Sequence, residues 1–110
     1  MLPIDRALTA LADPTRRAIL ARLARGEATV TEIAAPFDLS QPAISHHLKV
    51  LEQAGLIARG RDGTRRPCRL TPEGLAPLDA WLGDLRANLE RNYQRLDELL
   101  AEDPTQEEKP

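Results

Sequence analysis

The sequence from Ser40 to Gly55 reads Ser-Gln-Pro-Ala-Ile-Ser-His-His-Leu-Lys-Val-Leu-Glu-Gln-Ala-Gly, with a helix-start signal at one end and a helix-stop signal at the other. Ser40 is a favoured N-cap because its hydroxyl can accept a hydrogen bond from a backbone N–H of the first turn. Gly55 suits the left-handed residue that often ends a helix. Between them, Ile44, Leu48 and Leu51 recur at steps of four and three residues. This pattern predicts one helix with an apolar stripe facing a core.

The opposite face of this predicted helix carries hydrogen-bonding and cationic side chains. Amide and hydroxyl groups can pair with base edges in the DNA major groove, and cations with phosphates. The candidate DNA-contacting residues on this face are Gln41, Ser45, His46 and Lys49, with the cap residue Ser40 beside them. We expect His47 to pack sideways on a neighbouring helix. The same residue types also occur on ordinary solvated faces, so this helix alone does not separate the two interpretations.

The sequence before this helix favours the DNA-binding interpretation. Thr29-Val-Thr-Glu32 fits a capping box that opens a short helix. That helix should end near Pro36, because the residue before a proline avoids the α conformation. Phe37 and Leu39 then read as core residues in a turn. Helix, turn, helix and a following hairpin is the order of a winged helix-turn-helix.

The hairpin is predicted from Leu56–Gly60 and Arg65–Leu70, with an Asp62-Gly63 turn between the two strands. Pro67 lacks an N–H, so we expect it on an edge strand. Arginines crowd this segment at positions 59, 61, 65, 66 and 69. Charged edge strands can serve only to prevent aggregation. Five arginines beside a candidate recognition helix are better explained by a wing that contacts DNA backbone or minor groove, through Arg59, Arg61, Arg65 and Arg66.

Two helices are predicted before this unit. The first has apolar residues at helical spacing, namely Ile4, Ala7, Leu8 and Leu11. Asp13 is the predicted N-cap of the second helix and Pro14 its first residue. We expect the second helix to bury Ile19, Leu20 and Leu23 and to stop at Gly26. Its arginines, Arg16, Arg17, Arg22 and Arg25, are expected on a solvated face, with a phosphate contact by one of them as the alternative.

The C-terminal part predicts a long helix over about residues 73–102, with Pro77 delaying its regular part. Leucines and one asparagine alternate in steps of three and four: Leu75, Leu78, Leu82, Leu85, Leu89, Asn92, Leu96 and Leu99. At 1.5 Å per residue such a helix is roughly 40 Å long. This length exceeds what the small core can cover, so a seam between two subunits is favoured over a helix folded back on its own domain. Asn92 can fix the register of the two paired helices. Residues 103–110 are predicted to be a disordered acidic tail, leaving residues 1–102 as a single domain.

Composition limits the other possibilities. The net charge is −2, but residues 1–75 contain 11 Lys and Arg against 8 Asp and Glu, whereas residues 76–110 contain 4 against 9. The candidate DNA-binding part is thus mildly basic. Only three residues are aromatic, which argues against a platform that stacks single-stranded bases. The single cysteine, Cys68, allows no intramolecular disulfide and is expected in the core. We see no signal peptide and no membrane span, and we expect a cytoplasmic protein.

From Asp13-Pro-Thr-Arg-Arg to the C-terminal helix, the chain resembles the ArsR family of bacterial winged-helix repressors, most densely over Val30–Glu52. The resemblance implies a mainly α fold with a small β-hairpin, and a homodimer paired through its first and last helices. It also implies binding to an inverted-repeat operator in double-stranded DNA, with Gln41, Pro42, Ser45 and His46 as the groove-facing residues. The expected dimer interface includes Leu8, Leu78, Leu82, Leu85, Leu89, Asn92 and Leu96.

One departure from the family pattern concerns metal sensing. The position of the family's Cys-x-Cys pair reads Glu27-Ala-Thr-Val-Thr-Glu32, and the last helix has no histidine. We therefore predict no metal site and no cofactor, and the sequence identifies no effector. Ser45 and His46 are neighbours that diverge by about 100° around a helix, so they form no nucleophile–base pair and an enzyme is not predicted. A protein-interaction module that uses the leucine seam is the alternative, but it leaves the wing arginines unexplained.

Overall fold

The computed structural model of the chain describes residues 2–102, with only the backbone described for Glu102. Within this range the helices are α1 Pro3–Leu11, α2 Pro14–Leu23, α3 Val30–Ala34, α4 Gln41–Gln53 and α5 Ala76–Glu102. The strands are β1 Ala28–Thr29, β2 Ile57–Arg59 and β3 Pro67–Leu70, and a 3-10 turn spans Pro72–Leu75. Residues up to Leu78 form one compact unit and those from Asp79 a second. The predicted tail, residues 103–110, lies outside the described residues.

Side chains cap the helices where the sequence predicts it. The Asp13 carboxylate accepts a hydrogen bond from the Arg16 backbone N–H at 3.0 Å at the start of α2. Thr29 and Glu32 form the capping box of α3. The Ser40 hydroxyl accepts from the Ala43 N–H at 3.3 Å at the start of α4. These local bonds satisfy backbone donors that have no partner within the helix.

The core of the first unit is built around α4. Ile44, Leu48 and Leu51 are fully buried, as their spacing predicts. Other buried apolar residues surround them: Ala7, Ala10, Ile19, Leu23, Ala28, Ile33, Leu56, Ile57 and Cys68. The predicted core position of Leu39 is wrong, because its side chain is 43% exposed. Phe37, which is also predicted to be a core residue, is partly buried and packs against the core.

The sheet has three strands in the order β1-β3-β2, all antiparallel, where the sequence predicts a hairpin alone. Pro67 therefore lies in the central strand, which corrects its predicted edge position. It is tolerated there because it is the first residue of β3, a position where a missing N–H disturbs the ladder least. Its carbonyl accepts a hydrogen bond from Gly60 N–H at 2.8 Å.

The turn of the hairpin is shifted by one residue from the predicted Asp62-Gly63 pair. Asp62 and Arg65 exchange two backbone hydrogen bonds, of 3.1 and 3.0 Å. The two loop residues are therefore Gly63 and Thr64. Gly63 has φ +65°, and a glycine with positive φ at the first loop position suits the right-handed twist of a hairpin.

Helix α5 has 27 residues, preceded by the 3-10 turn, and Pro77 is its second residue. A row of large apolar side chains along it is exposed: Trp81, Leu82, Leu85, Leu89, Leu96 and Leu99 are between 40% and 64% accessible. Except for Trp81, these side chains belong to the predicted leucine seam. Across the described residues, no helix has the length and apolar content that crossing a membrane requires.

Candidate nucleic-acid interface

The N-terminal half of α4 presents the predicted polar face to solvent. Gln41, Pro42, Ser45, His46 and Lys49 are all exposed, as is the capping residue Ser40. The buried stripe on the other side holds the helix in this orientation. The exposed groups include an amide, hydroxyls, an imidazole and an ammonium, which together can donate to and accept from base edges and pair with phosphate.

His47 does not share this face. Its side chain is only 16% exposed, and Nδ1 lies 3.3 Å from Nη1 of Arg16 and 4.0 Å from Oδ2 of Asp13. The ring centroids of His46 and His47 are 6.0 Å apart, with planes inclined at 53°. The two neighbouring histidines therefore diverge, one toward solvent and one sideways onto α2, as the sequence predicts.

The predicted position of Arg16 on a solvated face of α2 is wrong. Its Nε donates to the Ala10 carbonyl at 2.7 Å and its Nη2 to the Thr9 carbonyl at 3.3 Å. Both acceptors lie in the last turn of α1, where carbonyl groups lack the usual N–H partner four residues further along. The Thr9 carbonyl also accepts from the Ala12 N–H at 3.3 Å. Arg17 donates similarly to the Leu11 carbonyl at 2.8 Å. No sequence pattern shows these contacts, because their partners belong to another helix.

The charge of the Asp13 carboxylate is stabilised where α1, α2 and α4 meet. The hydrogen bond from the backbone N–H of Arg16 lowers the pKa of Asp13, and the positive charge of the Arg16 guanidinium acts in the same direction. Partial desolvation acts against them. Asp13 is thus a fixed anion beside His47 at neutral pH.

The wing arginines are all exposed, but they differ in their neighbours. Arg59 Nε lies 3.7 Å from Glu52 Oε1, which joins β2 to α4. Arg65 Nη2 lies 3.4 Å from Glu32 Oε1, which joins the wing to α3. Hydrogen bonds from the backbone N–H and the hydroxyl of Thr29 lower the pKa of Glu32, and Arg65 lowers it further. In the part of the chain that the structure describes, Arg61 and Arg66 have no carboxylate within 4.0 Å.

A depression of about 310 Å³ lies between the start of α3 and the tip of the wing. It is lined by Thr29, Val30, Thr31, Thr64, Arg65 and Arg66. Exposed hydroxyls beside guanidinium groups can donate to phosphate oxygens. Thr31 and Thr64 are not among the residues that the sequence predicts for the site. They lie far apart in the sequence, and the pairing of β1 with β3 is what brings their segments together.

Metal ligands are not gathered anywhere in the described chain. Among residues 2–101 there is no group of three or more His, Cys, Asp and Glu side chains that could hold an ion. Cys68 is fully buried in β3, and burial raises the pKa of its thiol. The thiolate is the form that binds metals.

Comparison with known proteins shows the family of this chain. The model of the family described as "Bacterial regulatory protein, arsR family" matches residues 13–59, from the cap of α2 to the end of β2. The regulator Rv2034 of Mycobacterium tuberculosis is 48% identical over 91 residues, which are 83% of this chain and 78% of the relative. The transcriptional repressor SdpR of Bacillus subtilis is 45% identical over 60 residues, covering 54% of this chain and 67% of the repressor.

Solved structures of similar proteins have the same fold as this chain. The crystal structure of the ArsR family regulator RHA00566 has a TM-score of 0.75 and 40% identity, covering 81% of this chain and 98% of that one. The homodimeric winged helix-turn-helix DNA-binding domain of Mb0332 from Mycobacterium bovis has a TM-score of 0.63 and 33% identity, covering 81% and 83%. The chain belongs to the ArsR family of bacterial transcriptional regulators and has their winged helix-turn-helix fold.

Proposed function

We propose that the chain is a homodimeric repressor that reads an inverted-repeat operator with the N-terminal half of α4 and holds the adjoining DNA backbone with its wing. The observation that carries the proposal is the exposed polar face of α4, opposite a fully buried apolar stripe. A helix held in this way can enter a major groove without unfolding any of the core. Gln41, Ser45 and His46 are the proposed base-reading residues.

The backbone contacts are proposed at the wing and beside it. Arg61 and Arg66 are exposed cations with no acidic partner among the described residues, so their charge is available to phosphate. Arg59 and Arg65 are also exposed, but each lies near a glutamate, and we assign them a smaller share of the binding. Lys49 adds a further exposed cation on α4, and Thr31 and Thr64 add hydroxyl donors at the depression beside the wing.

The dimer is proposed from the apolar row on α5. Leu82, Leu85 and Leu89 repeat at heptad spacing and are exposed in the single chain, an arrangement that favours pairing with a second copy. Two copies related by a two-fold axis would read two half-sites, about 34 Å apart along one face of the duplex. The name of Mb0332 describes such a homodimeric domain.

The proposal is tested by selecting bound fragments from the source genome and then measuring affinities of variants for the enriched site. Gln41→Ala and Ser45→Ala should each weaken binding to this site by about 1–3 kcal/mol and weaken binding to random duplex much less. Gln53→Ala is a matched control, because it removes the same amide from the opposite end of α4. No enriched site, or equal losses on specific and random DNA, would contradict sequence reading by α4.

A further inference from the structure

Arg16 links three helices through one guanidinium group. It belongs to α2, its Nε and Nη2 donate to the Ala10 and Thr9 carbonyls of α1, and its Nη1 lies 3.3 Å from Nδ1 of His47 on α4. The group is partly buried. Its three nitrogens therefore each have a partner, and their plane is set by the carbonyl groups of α1.

The contact with His47 defines the state of that imidazole. A guanidinium can only donate hydrogen bonds, so Nδ1 must accept, and the ring is then neutral with its proton on Nε2. Asp13 also faces this nitrogen, and as an acceptor it favours a proton on Nδ1. Its oxygen is 4.0 Å away, beyond hydrogen-bonding distance. His46, the other titratable neighbour, has its ring centroid 6.0 Å away. The distances therefore favour a hydrogen bond from Arg16 to Nδ1 of His47 over one from Nδ1 to Asp13.

We propose that Arg16 is a positioning residue for sequence reading, which fixes the rotation of the N-terminal half of α4 through His47. Apolar burial holds α4 in the core but is not directional, whereas a hydrogen bond is. Ser45 and His46 directly precede His47, so a rotation of the helix at this point moves both of these proposed base-reading residues. This inference rests on the proposed reading role of α4 and adds a residue from outside the recognition helix.

Two other roles for Arg16 make different predictions. A phosphate contact would strengthen binding to every duplex and contribute to the dependence of affinity on salt. A purely structural role would change the stability of the fold and leave the ratio of specific to random affinity unchanged. A positioning role changes that ratio and leaves the salt dependence unchanged.

The experiment compares Arg16→Ala and Arg16→Lys with Arg17→Ala on the selected operator and on random duplex. Arg17 is a matched control because it also donates to a carbonyl at the end of α1, while its side chain is exposed rather than packed beside His47. We expect Arg16→Ala to reduce specific affinity about tenfold, as expected for removing a charge-assisted hydrogen bond, with little change on random DNA and the same salt slope. Arg17→Ala should leave the affinity ratio unchanged. If Arg16→Ala does not fold, the same comparison is made with Arg16→Lys. This variant keeps the positive charge and removes the planar guanidinium group.

Variants at His47 complete the test. His47→Gln keeps an acceptor for Arg16 and should retain most of the specificity, whereas His47→Leu should lose it. Adding Arg16→Ala to His47→Leu should then cause no further loss. An undiminished affinity ratio in both Arg16 variants, or a salt slope reduced by about 0.9, would overturn the proposal.

A measurement without DNA separates this inference from the proposed function. Nitrogen NMR of the imidazole should show the Nε2–H tautomer of His47 in the wild type and a changed Nδ1 signal in Arg16→Ala. An Nδ1–H tautomer would overturn the Arg16 contact itself. A wild type with the expected tautomer but no preference for any duplex would instead refute the proposed function.

Discussion

The α-carbon of Gly74 faces the backbone of Gly55, so that a side chain at position 74 would occupy the place of the Gly55 carbonyl group. A Cβ there would lie 2.6 Å from the carbonyl carbon of Gly55 and 3.2 Å from the α-carbon of Leu56. Gly55 itself has φ +77° where α4 ends. The end of α4 and the 3-10 turn Pro72–Leu75 therefore pack backbone against backbone.

This packing predicts that Gly74→Ala destabilises the fold. Overpacking costs about 1–3 kcal/mol in general, and here we expect about 3 kcal/mol, because both neighbours are backbone and cannot turn aside. Gly83→Ala is the control, since a Cβ at Gly83 in α5 meets nothing within 4 Å and should stabilise the helix by up to about 1 kcal/mol. Denaturant unfolding gives the change in the free energy of unfolding for both variants. A Gly74→Ala effect as small as that of Gly83→Ala would contradict the close packing at Gly74.

The four wing arginines should form two pairs that differ in their contribution to DNA affinity. Replacing Arg61 and Arg66 together with alanine should weaken binding to all duplexes and reduce the slope of log affinity against log salt by about 0.9 for each phosphate that is no longer neutralised. Replacing Arg59 and Arg65 together should reduce the slope less, because each already lies near a glutamate. Salt titrations of the two double variants measure the difference. Equal reductions would show that the ion pairs do not survive on DNA.

Much of the DNA-binding unit could be predicted because its signals are local. The cap at Ser40, the stop at Gly55 and the stripe through Ile44 and Leu48 are set by neighbours within one or two helical turns. The candidate reading face follows directly from that stripe. These are properties of short segments, and the structure agrees with them.

The features that could not be predicted from the sequence depend on contacts between residues far apart in the chain. Strand β1 has two residues, and Thr29 is also the cap of α3, so its sequence reads as a helix start. Its partner Pro67 is 38 positions along the chain, and this pairing makes β3 the central strand. Arg16 resembles its solvated neighbours in type and spacing. Only the approach of α1 and α4 gives it hydrogen-bond partners.

The apolar row on α5 predicts that a single charge can prevent dimerisation. Leu85→Glu places a carboxylate in the middle of the proposed seam, where pairing would bury it without a partner. We expect a monomer at micromolar concentration with unchanged helix content, measured by sedimentation and circular dichroism. Gln94→Glu introduces the same charge on the opposite side of α5 and should remain dimeric. A folded Leu85→Glu dimer would remove Leu85 from the interface.

The caps at Asp13 and Glu32 predict how stability depends on pH. Hydrogen bonds from backbone N–H groups lower both pKa values below their ordinary values of 3.8 and 4.5. The folded state therefore binds fewer protons than the unfolded state in this range. The caps stabilise the fold above these values, and that contribution is lost as the pH falls through the lower folded-state pKa values.

Asp13→Ser tests this dependence, because serine is also a favoured cap but does not titrate. Urea unfolding between about pH 6 and pH 3 should show a shallower loss of stability for the variant than for the wild type. Asp38→Ser, at an exposed carboxylate in the turn before α4, is the control and should follow the wild type. Identical pH profiles for Asp13→Ser and the wild type would exclude a contribution from the Asp13 cap.

Cys68 should neither bind metals nor react with thiol reagents while the protein is folded. The side chain is fully buried at the centre of the sheet, between Ala28 of β1 and Arg59 of β2. Burial raises the pKa of the thiol, against a smaller opposing effect of Arg59. At neutral pH the group is therefore a protonated thiol without access to solvent, whereas metal binding and oxidation require an accessible thiolate.

We expect a thiol reagent to label Cys68 only after unfolding, and zinc, nickel or arsenite at modest excess to leave operator affinity unchanged. Cys68→Ser should bind the operator normally, but with about 1–3 kcal/mol less stability, because a buried hydroxyl without a partner is unfavourable. Labelling rates in native buffer and in denaturant, and DNA titrations with and without metal, measure these effects. Stoichiometric metal binding that lowers DNA affinity in the wild type, and not in Cys68→Ser, would show that the thiol becomes exposed and senses the metal.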